Sequence, residues 1–348
     1  MLYCNKIKPN FSLFKEAKME LPYYLKIASE KLIEGMDLGK MSSNAKELSR
    51  RYMEESGQGK SLLNKVDEAA VYSLMRMPAT FSAVSFALEQ VCVNSDFVPR
   101  TLLDAGAGTG GASFAANEFF ALDKITCLER ELAMENIGKK LMAASDDDVL
   151  KNALYIRKDL VEEAIGKRAK EAEYKSDLVI ASYVLNEMSM ENRMEVVRYL
   201  WENTNKMLII IEPGTPVGFS NIRRIRDFLI SEGAYVCAPC PHMDNCPVLG
   251  DDWCHFTVRV QRGKYHKMLK EADVPYEDEK FSYIALSKEP IEVTKFGRVM
   301  RHPKTQKGRM DLTLCTKDGI LEKTVTKKDG EAYKSAKKVN CGDAYSFI

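Results

Sequence analysis

The chain has 348 residues and a mass of 39.3 kDa, with 45% apolar and 29% charged residues. That length predicts two or three domains and ample core, and the composition excludes wholesale disorder. No apolar run approaches the roughly 20 residues of a transmembrane helix. The first residues, MLYCNKIKPNFSLFKEAKME, lack the apolar stretch and small-residue cleavage site of a secretory signal, and lack the arginine of a transit peptide. The cytosol is the expected compartment, with no membrane partner.

Lys and Arg number 51 against 50 Asp and Glu, a net charge of +1 that conceals an asymmetry. Residues 295–339 hold 13 Lys/Arg against 5 Asp/Glu, a net of +8, which leaves −7 for the rest. A basic segment on a mildly acidic body suggests contact with a polyanion.

Residues 1–95 read as a helical region. Leu21, Leu25, Ala28 and Leu32 recur three or four apart over 21–33. A second periodic stretch covers Ser61 to Val93, with Pro78 expected to break or kink it. From 96 to 289 strands and helices alternate. Strands are expected at Thr101–Asp104, Lys124–Leu128, Ala153–Ile156, Ser176–Ser182 and Lys206–Ile211. Helices are expected up to Ala121, and over Glu131–Ala144, Leu160–Ala172, Glu191–Thr204 and Asn221–Glu232, with Gly233 as a C-cap. Such alternation predicts a parallel sheet with right-handed crossovers. Further strands are expected at Cys254–Val260 and Phe281–Ser287. From 290 to 348, short strand signals separated by Lys307-Gly308, Asp318-Gly319 and Asp329-Gly330 predict a small antiparallel sheet or OB-like barrel.

The strand at 101 runs into Asp104-Ala-Gly106-Ala-Gly108-Thr-Gly110, which opens a helix. Glycines let backbone turn tightly and approach a ligand closely. Glu129 closes the next strand, 25 residues after Asp104, where a carboxylate can accept from two ribose hydroxyls. This pattern fits a dinucleotide or S-adenosylmethionine. Two details favour the latter: the acidic Asp104 suits a cationic methionine moiety, and Asp159 beyond the third strand can meet an adenine amino group. The expected cofactor pocket is Asp104, Gly106, Gly108, Gly110, Glu129, Asp159 and Asn186. After the fourth strand, Ser182-Tyr-Val-Leu-Asn-Glu187 lacks the Asn/Asp-Pro-Pro-aromatic tetrad that holds a target nitrogen in amino-methylating enzymes. Glu187 and Glu212 are possible bases, and no catalytic residue is assigned.

Nine cysteines, an odd count without a secretion signal, argue against a disulfide framework. Four lie between 237 and 254. Cys240, Cys246 and Cys254 are separated by five and seven residues, and Pro241 and Pro247 each follow a cysteine. Cys237, Cys315, His242 and His255 are candidates for a fourth ligand. Spacing alone leaves zinc and iron–sulfur open.

Six segments together resemble a methyltransferase-like family involved in small-ribosomal-subunit assembly in mitochondria, with bacterial members. They are Arg76-Met-Pro-Ala-Thr80, Leu102–Gly110, Ile211-Glu-Pro-Gly-Thr-Pro216, Ala238-Pro-Cys-Pro-His242, Asp252-Trp-Cys-His-Phe256 and Pro275–Tyr283. The glycine segment is common to many methyltransferases, whereas APCPH, DWCHF and PYEDEKFSY are specific. Coverage runs from about residue 50 to the C-terminus. The resemblance implies a class I S-adenosylmethionine-dependent methyltransferase (Rossmann-like) α/β fold with a cysteine-rich metal-binding insertion at 237–256. It implies a 4Fe–4S cluster on Cys240, Cys246, Cys254 and Cys315, with Cys237 a bystander. Cluster loss is then expected to undock the C-terminal domain.

It also implies a factor that binds small-subunit rRNA and assists assembly, with methyl transfer in doubt. An active rRNA methyltransferase is the alternative, and a zinc-containing RNA-binding protein a lesser one. Partners are the small-subunit precursor and its rRNA, not DNA, and the chain is expected to be monomeric off the ribosome. Arg298, Arg301, Lys304, Lys307 and Arg309 are the expected phosphate contacts. The compartment is the cytoplasm for a bacterial source and the mitochondrial matrix for a eukaryotic one.

Overall fold

A computed structural model describes residues 20–37, 66–166, 172–270, 273–291 and 296–346, with isolated positions between 39 and 51. The start of the helix expected from Ser61, residues 167–171 of that expected to reach Ala172, and much of the 1–95 region lie outside the described residues, and Ala172 itself is not helical.

Helix α1 spans Tyr23–Lys31, and α2 runs as one helix over Val66–Asn94 with Pro78 inside it. Of the break or kink expected at Pro78, the break is corrected. A mid-helix proline costs about 3 kcal/mol. Here α2 is buried almost throughout 69–91, from Val71 through Phe81 to Val91, and packing of that surface outweighs the lost hydrogen bond.

Five strands follow in crossover order: β1 Thr101–Ala105, β2 Lys124–Glu129, β3 Leu154–Arg157, β4 Ser176–Ser182 and β5 Thr204–Pro213. Between them lie α3 Gly111–Phe119, α4 Leu132–Ala143, α5 Asp148–Lys151, α6 Leu160–Gly166 and α7 Met190–Glu202, and α8 Pro216–Ser231 follows β5. Then come β6 Tyr235–Ala238, β7 Phe256–Gln261, α9 Lys264–Leu269 and β8 Tyr276–Ser287. The sheet order is β3-β2-β1-β4-β5-β8-β6, with β7 also on β8. Strands β1 to β5 are parallel, and β8 enters antiparallel beside β5. This is a mixed, Rossmann-like sheet of the class I methyltransferase type, with its chain reversal between β1 and β4.

Alternation along the strands serves two cores. Leu102, Ile125, Leu178, Ile180, Ile209 and Ile211 face α2, α3 and α4, whereas Leu103, Leu128, Val179, Leu208 and Ile210 face α6, α7 and α8. Such strands, buried on both faces, read as continuous apolar runs.

The C-terminal part is a separate five-stranded antiparallel sheet: β9 Phe296–Val299, β10 Lys304–Gln306, β11 Arg309–Thr316, β12 Gly319–Thr326 and β13 Ala344–Ser346, with α10 Glu331–Ala336 packed on it. Its own core is Val299, Met310, Leu312, Leu314, Val325 and Tyr345. Strand β12 is at one edge and β13 at the other, so the described sheet is open. Among the described residues, no helix is long and apolar enough to cross a membrane.

Candidate functional site

At the carboxyl ends of β1, β2 and β4 the sheet opens into a cleft of about 960 Å³. The turn after β1 closes when the Gly106 and Ala107 amides donate to the Leu128 carbonyl, at 2.9 and 3.0 Å. Gly106 has φ +71°, and a Cβ there would stand 2.5 Å from Val184. Gly108, at φ +54°, would carry a Cβ into open space, so its Cα leaves room for a ligand to approach, while its carbonyl accepts from the Tyr155 hydroxyl at 3.4 Å.

Glu129 is buried at the cleft wall. Its carboxylate accepts from the Gly108 amide at 2.7 Å and the Glu131 amide at 2.8 Å. Burial raises its pKa to about 7, against the pull of those two amides. Glu187 also lines the cleft and is raised to about 7 by burial. Arg130 lies among the acids, 3.4 Å from Glu131, 3.5 Å from Asp159 and 3.7 Å from Glu187.

The other expected pocket residues divide. Asp159 lines the cleft, but its Oδ1 caps α6 by accepting from the Val161 and Glu162 amides at 2.8 and 3.3 Å. Asp104 lies fully buried behind the glycine turn, where one oxygen accepts from the Ser113 amide and hydroxyl at 3.0 and 2.7 Å. Its Oδ1 has no partner, and burial raises its pKa to about 6. Gly110, at φ +91°, is the N-cap of α3 and sits against Met142 and Tyr155.

Asn186 stands behind the cleft wall, as Asp104 and Gly110 do. Its amide donates to buried Glu212 on β5, which also accepts from Asn221, and its Oδ1 has no partner.

These residues fit an adenosyl ligand. A buried carboxylate stands where vicinal hydroxyls would bind, beside a glycine with room for approach, and the unpartnered Asp104 oxygen is one more acceptor behind the turn.

A second cavity, of about 570 Å³, lies between the two sheets. Cys240, Cys246, Cys254 and Cys315 all line it. The first three come from the segment between β6 and β7, and Cys315 from β11, opposite Arg298 in the ladder. The rest of the wall is largely apolar, with Phe219, Ile222, Val248 and Met300. All four thiols are free of disulfides. Burial pushes Cys315 up to about 12, with Cys240 and Cys246 acting in the same direction and Arg226 and Arg298 against it. Burial likewise raises Cys240 and Cys254.

His242 lines the cavity, its Nε2 3.8 Å from the Cys315 sulfur. Cys237 does not, and instead faces Ser95 at the end of the α2 region. His255 stacks on Trp253, with ring centroids 5.2 Å apart. Among the described residues, no three His, Cys, Asp or Glu side chains converge closely enough to hold a single ion. Four thiols lining one largely apolar cavity are the donor set of a thiolate-ligated group.

The basic residues also separate. Lys304, Lys307 and Arg309 are exposed on the β10–β11 hairpin, with Arg309 paired to Asp311 at 2.9 Å. Arg301 is partly engaged by the Asp252 carboxylate and by the Trp253 carbonyl at 3.2 Å. Arg298 is corrected outright as a phosphate contact. It is 1% exposed and donates to the Pro239 carbonyl at 2.7 Å, Gln90 Oε1 at 2.5 Å and the Gly342 carbonyl at 2.7 Å.

Residues 66–346 match the family described as Rsm22, mitochondrial small ribosomal subunit. The chain belongs to the Rsm22 family. The human protein named ribosome assembly protein METTL17, mitochondrial, is 28% identical over 290 residues, covering 78% of this chain and 61% of that protein. Two Rsm22-cox11 tandem proteins, mitochondrial, of Schizosaccharomyces pombe are each 26% identical over 215 residues, covering 48% of this chain and 29% of theirs. The chain thus spans less than two thirds of these relatives.

Among solved structures, a magnesium protoporphyrin IX methyltransferase of Synechocystis PCC 6803 with bound S-adenosylmethionine is 13% identical, with TM-score 0.39 over 76% of this chain and 97% of that one. A plantazolicin methyltransferase in complex with S-adenosylhomocysteine is 12% identical, with TM-score 0.41 over 76% of this chain and 100% of that one. At these values the sheet order itself is the basis of the fold assignment. The chain is a methyltransferase-fold member of a family related to mitochondrial ribosome-assembly proteins.

Sequence reasoning missed one group in this Rsm22 member. Arg76 on α2 pairs with Glu279 on β8 at 3.1 Å, and the Tyr183 hydroxyl donates to the same carboxylate at 2.9 Å. Tyr183 has φ +59°, an uncommon value for a bulky residue, and lines the cleft. The joint of three segments 96 and 203 positions apart left no local signal beyond the family-like RMPAT and PYEDEKFSY strings.

Proposed function

We propose that this chain is a 4Fe–4S-containing, S-adenosylmethionine-binding factor that contacts small-subunit rRNA and assists assembly of the small ribosomal subunit. The observation that carries the reading is the convergence of Cys240, Cys246, Cys254 and Cys315 on one cavity between the two sheets. As thiolates, these four would hold the cluster and join the sheets covalently through it. Four-cysteine ligation leaves no open iron, which favours a structural or sensing role over catalysis.

In the cleft, Glu129 would orient the ribose and the glycine turn would accept the ligand's backbone-facing side. The bound group would supply an electrophilic methyl. Where a target-holding tetrad would stand, Tyr183 is tied to Glu279 and Arg76, which supports binding without turnover as the principal task. Exposed Lys304, Lys307 and Arg309 would meet phosphates. The compartment follows the ribosome served: the matrix in a eukaryotic source, the cytoplasm in a bacterial one.

Anaerobic purification with iron, sulfide and zinc analysis on one sample tests the cluster. About four irons and four sulfides per chain, with broad absorption near 400 nm, are expected. One zinc without sulfide overturns it. The intact glycine turn and Glu187 at the cleft favour a second reading, active rRNA methylation. Identical rRNA methylation in deletion and parent strains removes that reading.

A further inference from the structure

Two arginines buried at the wall of the cysteine cavity carry more charge than their visible bonds explain. Arg226 is 3% exposed and Arg298 1%. Arg226 lies on the α8 face that also presents Phe219, Ile222 and Arg223 to the cavity, and Arg298 lies on β9. Two of the three hydrogen bonds of each go to backbone carbonyls. Arg226 Nη2 donates to the His242 and Asp244 carbonyls at 3.1 and 2.6 Å, and its Nη1 to Asp227 at 2.8 Å. Arg298 holds Pro239, Gln90 and Gly342. The two guanidinium groups thus grip the chain on either side of Cys240.

One donor on each remains without an acceptor: Nε of Arg226 and Nη2 of Arg298. A buried charged donor without an acceptor is costly unless an anion completes it. Neither arginine has a carboxylate that neutralises it within the cavity, since Asp227 is half-exposed on the outer side of Arg226. The groups that face both are the cysteines. Both arginines line the cavity with Cys240 and Cys315, and their charges act on those thiols against the effect of burial. Four thiolates leave a cubane cluster with net negative charge, whose potential responds to hydrogen bonds on its sulfurs and to nearby charge.

We propose that Arg226 and Arg298 donate their spare N–H groups to the cluster's sulfurs on the Cys240 side, so that two fixed cations set its reduction potential and retain its iron. The inference rests on the cavity holding an iron–sulfur cluster. In these terms the arginines are positioning residues, and Arg298 is withdrawn from the RNA surface to serve the cluster.

The test uses the full chain, purified anaerobically, with the reduction potential read by spectroelectrochemical titration and iron release read against a chelator. Arg226→Gln and Arg298→Gln are expected to lower the potential. They should also release iron about 10- to 100-fold faster, the usual cost of losing an outer-shell partner. Arg226→Lys keeps the charge and should hold the potential near that of the parent while iron release quickens. Gln90→Leu removes a partner of Arg298 outside the cavity. It should lower the melting temperature and leave the potential unmoved.

Unchanged potential and release in either Gln variant that loads a cluster overturns the proposal. Gln variants that stay folded by circular dichroism yet fail to load support it, and Gln variants that unfold even without metal make the arginines structural and overturn it. Parent protein without iron and sulfide removes the cluster reading itself, an outcome distinct from an iron-loaded parent with indifferent variants.

Discussion

The glycine-turn cleft and the cysteine cavity are built on opposite plans. The cleft wall is largely satisfied by its own chain, with the Asp104 Oδ1 behind the turn left unmet: Glu129 already accepts from Gly108 and Glu131, Asp159 from the first turn of α6, and Arg130 lies among three acids. The cavity is unfinished. Burial pushes the Cys240, Cys254 and Cys315 thiols toward the neutral form, the arginines each keep a donor without an acceptor, and His242 Nδ1 is likewise unmet. A preorganised site can lose its ligand and keep its shape. A site whose polar groups depend on the occupant cannot, because metal binding and folding are then one equilibrium.

The sharpest way to break that contrast is Cys315→Ser. The variant is expected to lose most of its iron and sulfide and to lower the melting temperature more than any cleft variant. Hydrogen exchange should rise across β9 and β11 first. The sheet is not expected to leave the body entirely, since Arg298 bonds to Pro239 and Gln90, and Arg301 to Asp252 and Trp253, remain. A variant as iron-rich and as stable as the parent would make the two sites equivalent in plan.

Glu129→Ala comes next. Losing hydrogen bonds to a charged group costs about 1.5–3 kcal/mol, so S-adenosylmethionine affinity by calorimetry should fall roughly 10- to 100-fold, with melting little changed. The parent should show a pH dependence of the same origin. Glu129 is raised to about 7, so the ionised acceptor, and with it affinity, grows as pH rises through 7. Stability moves the other way. A buried carboxyl that binds its proton more tightly folded than unfolded stabilises fully below its ordinary value of 4.5, and that contribution is lost as pH climbs to about 7. Glu187 and Glu212, also raised to about 7, act in the same sense. Flat affinity between pH 6 and 8, in a calorimetric series, would remove Glu129 from the contact.

Gly106→Ala sharpens the claim that the turn is preset. The new methyl meets Val184 at 2.5 Å on a backbone at φ +71°, and the left-handed strain alone is about 1–2 kcal/mol. Denaturant unfolding should register at least that loss. The smallest effect is expected of Tyr183→Phe, which removes one hydrogen bond to Glu279 and leaves Arg76 paired, a loss of about 1 kcal/mol. A large loss of cofactor affinity in this variant would mean that Tyr183 touches the ligand.

Much of this arrangement is legible in the sequence, for identifiable reasons. The five parallel strands declare themselves because both faces are buried, and Ser176–Ser182 falls at its expected bounds. The glycine turn and Glu129 are local, each adjoining a strand end. Pro78 does not end the helix because propensity speaks only for isolated helices, while α2 packs against four others, α1, α3, α4 and α9, and against β5 to β8. The first half of β8 was unread because Tyr276 to Lys280 carries Glu, Asp and Lys, the mark of a strand with one wet face. Arg298 was misread for a deeper reason. Its charge is visible in the string, but its burial depends on β9 meeting β11 and on Gln90 lying 208 positions away, and no local pattern encodes that meeting.

Strand β8 ties the two plans together. Glu279 on it reaches Arg76 and Tyr183 at the cleft, and Ser282, three positions on, donates to the Cys254 carbonyl at the cavity at 2.8 Å. The interval is about 10 Å of extended backbone, paired with β7 up to Phe281 on one side and with β5 from Phe281 onward on the other. Insertion or deletion of one residue between 279 and 282 would turn every later side chain to the opposite face. Lineages that descend from this architecture are therefore free to lengthen the loops before Tyr276 or after Ser287, while the span between the two sites must keep its length residue for residue.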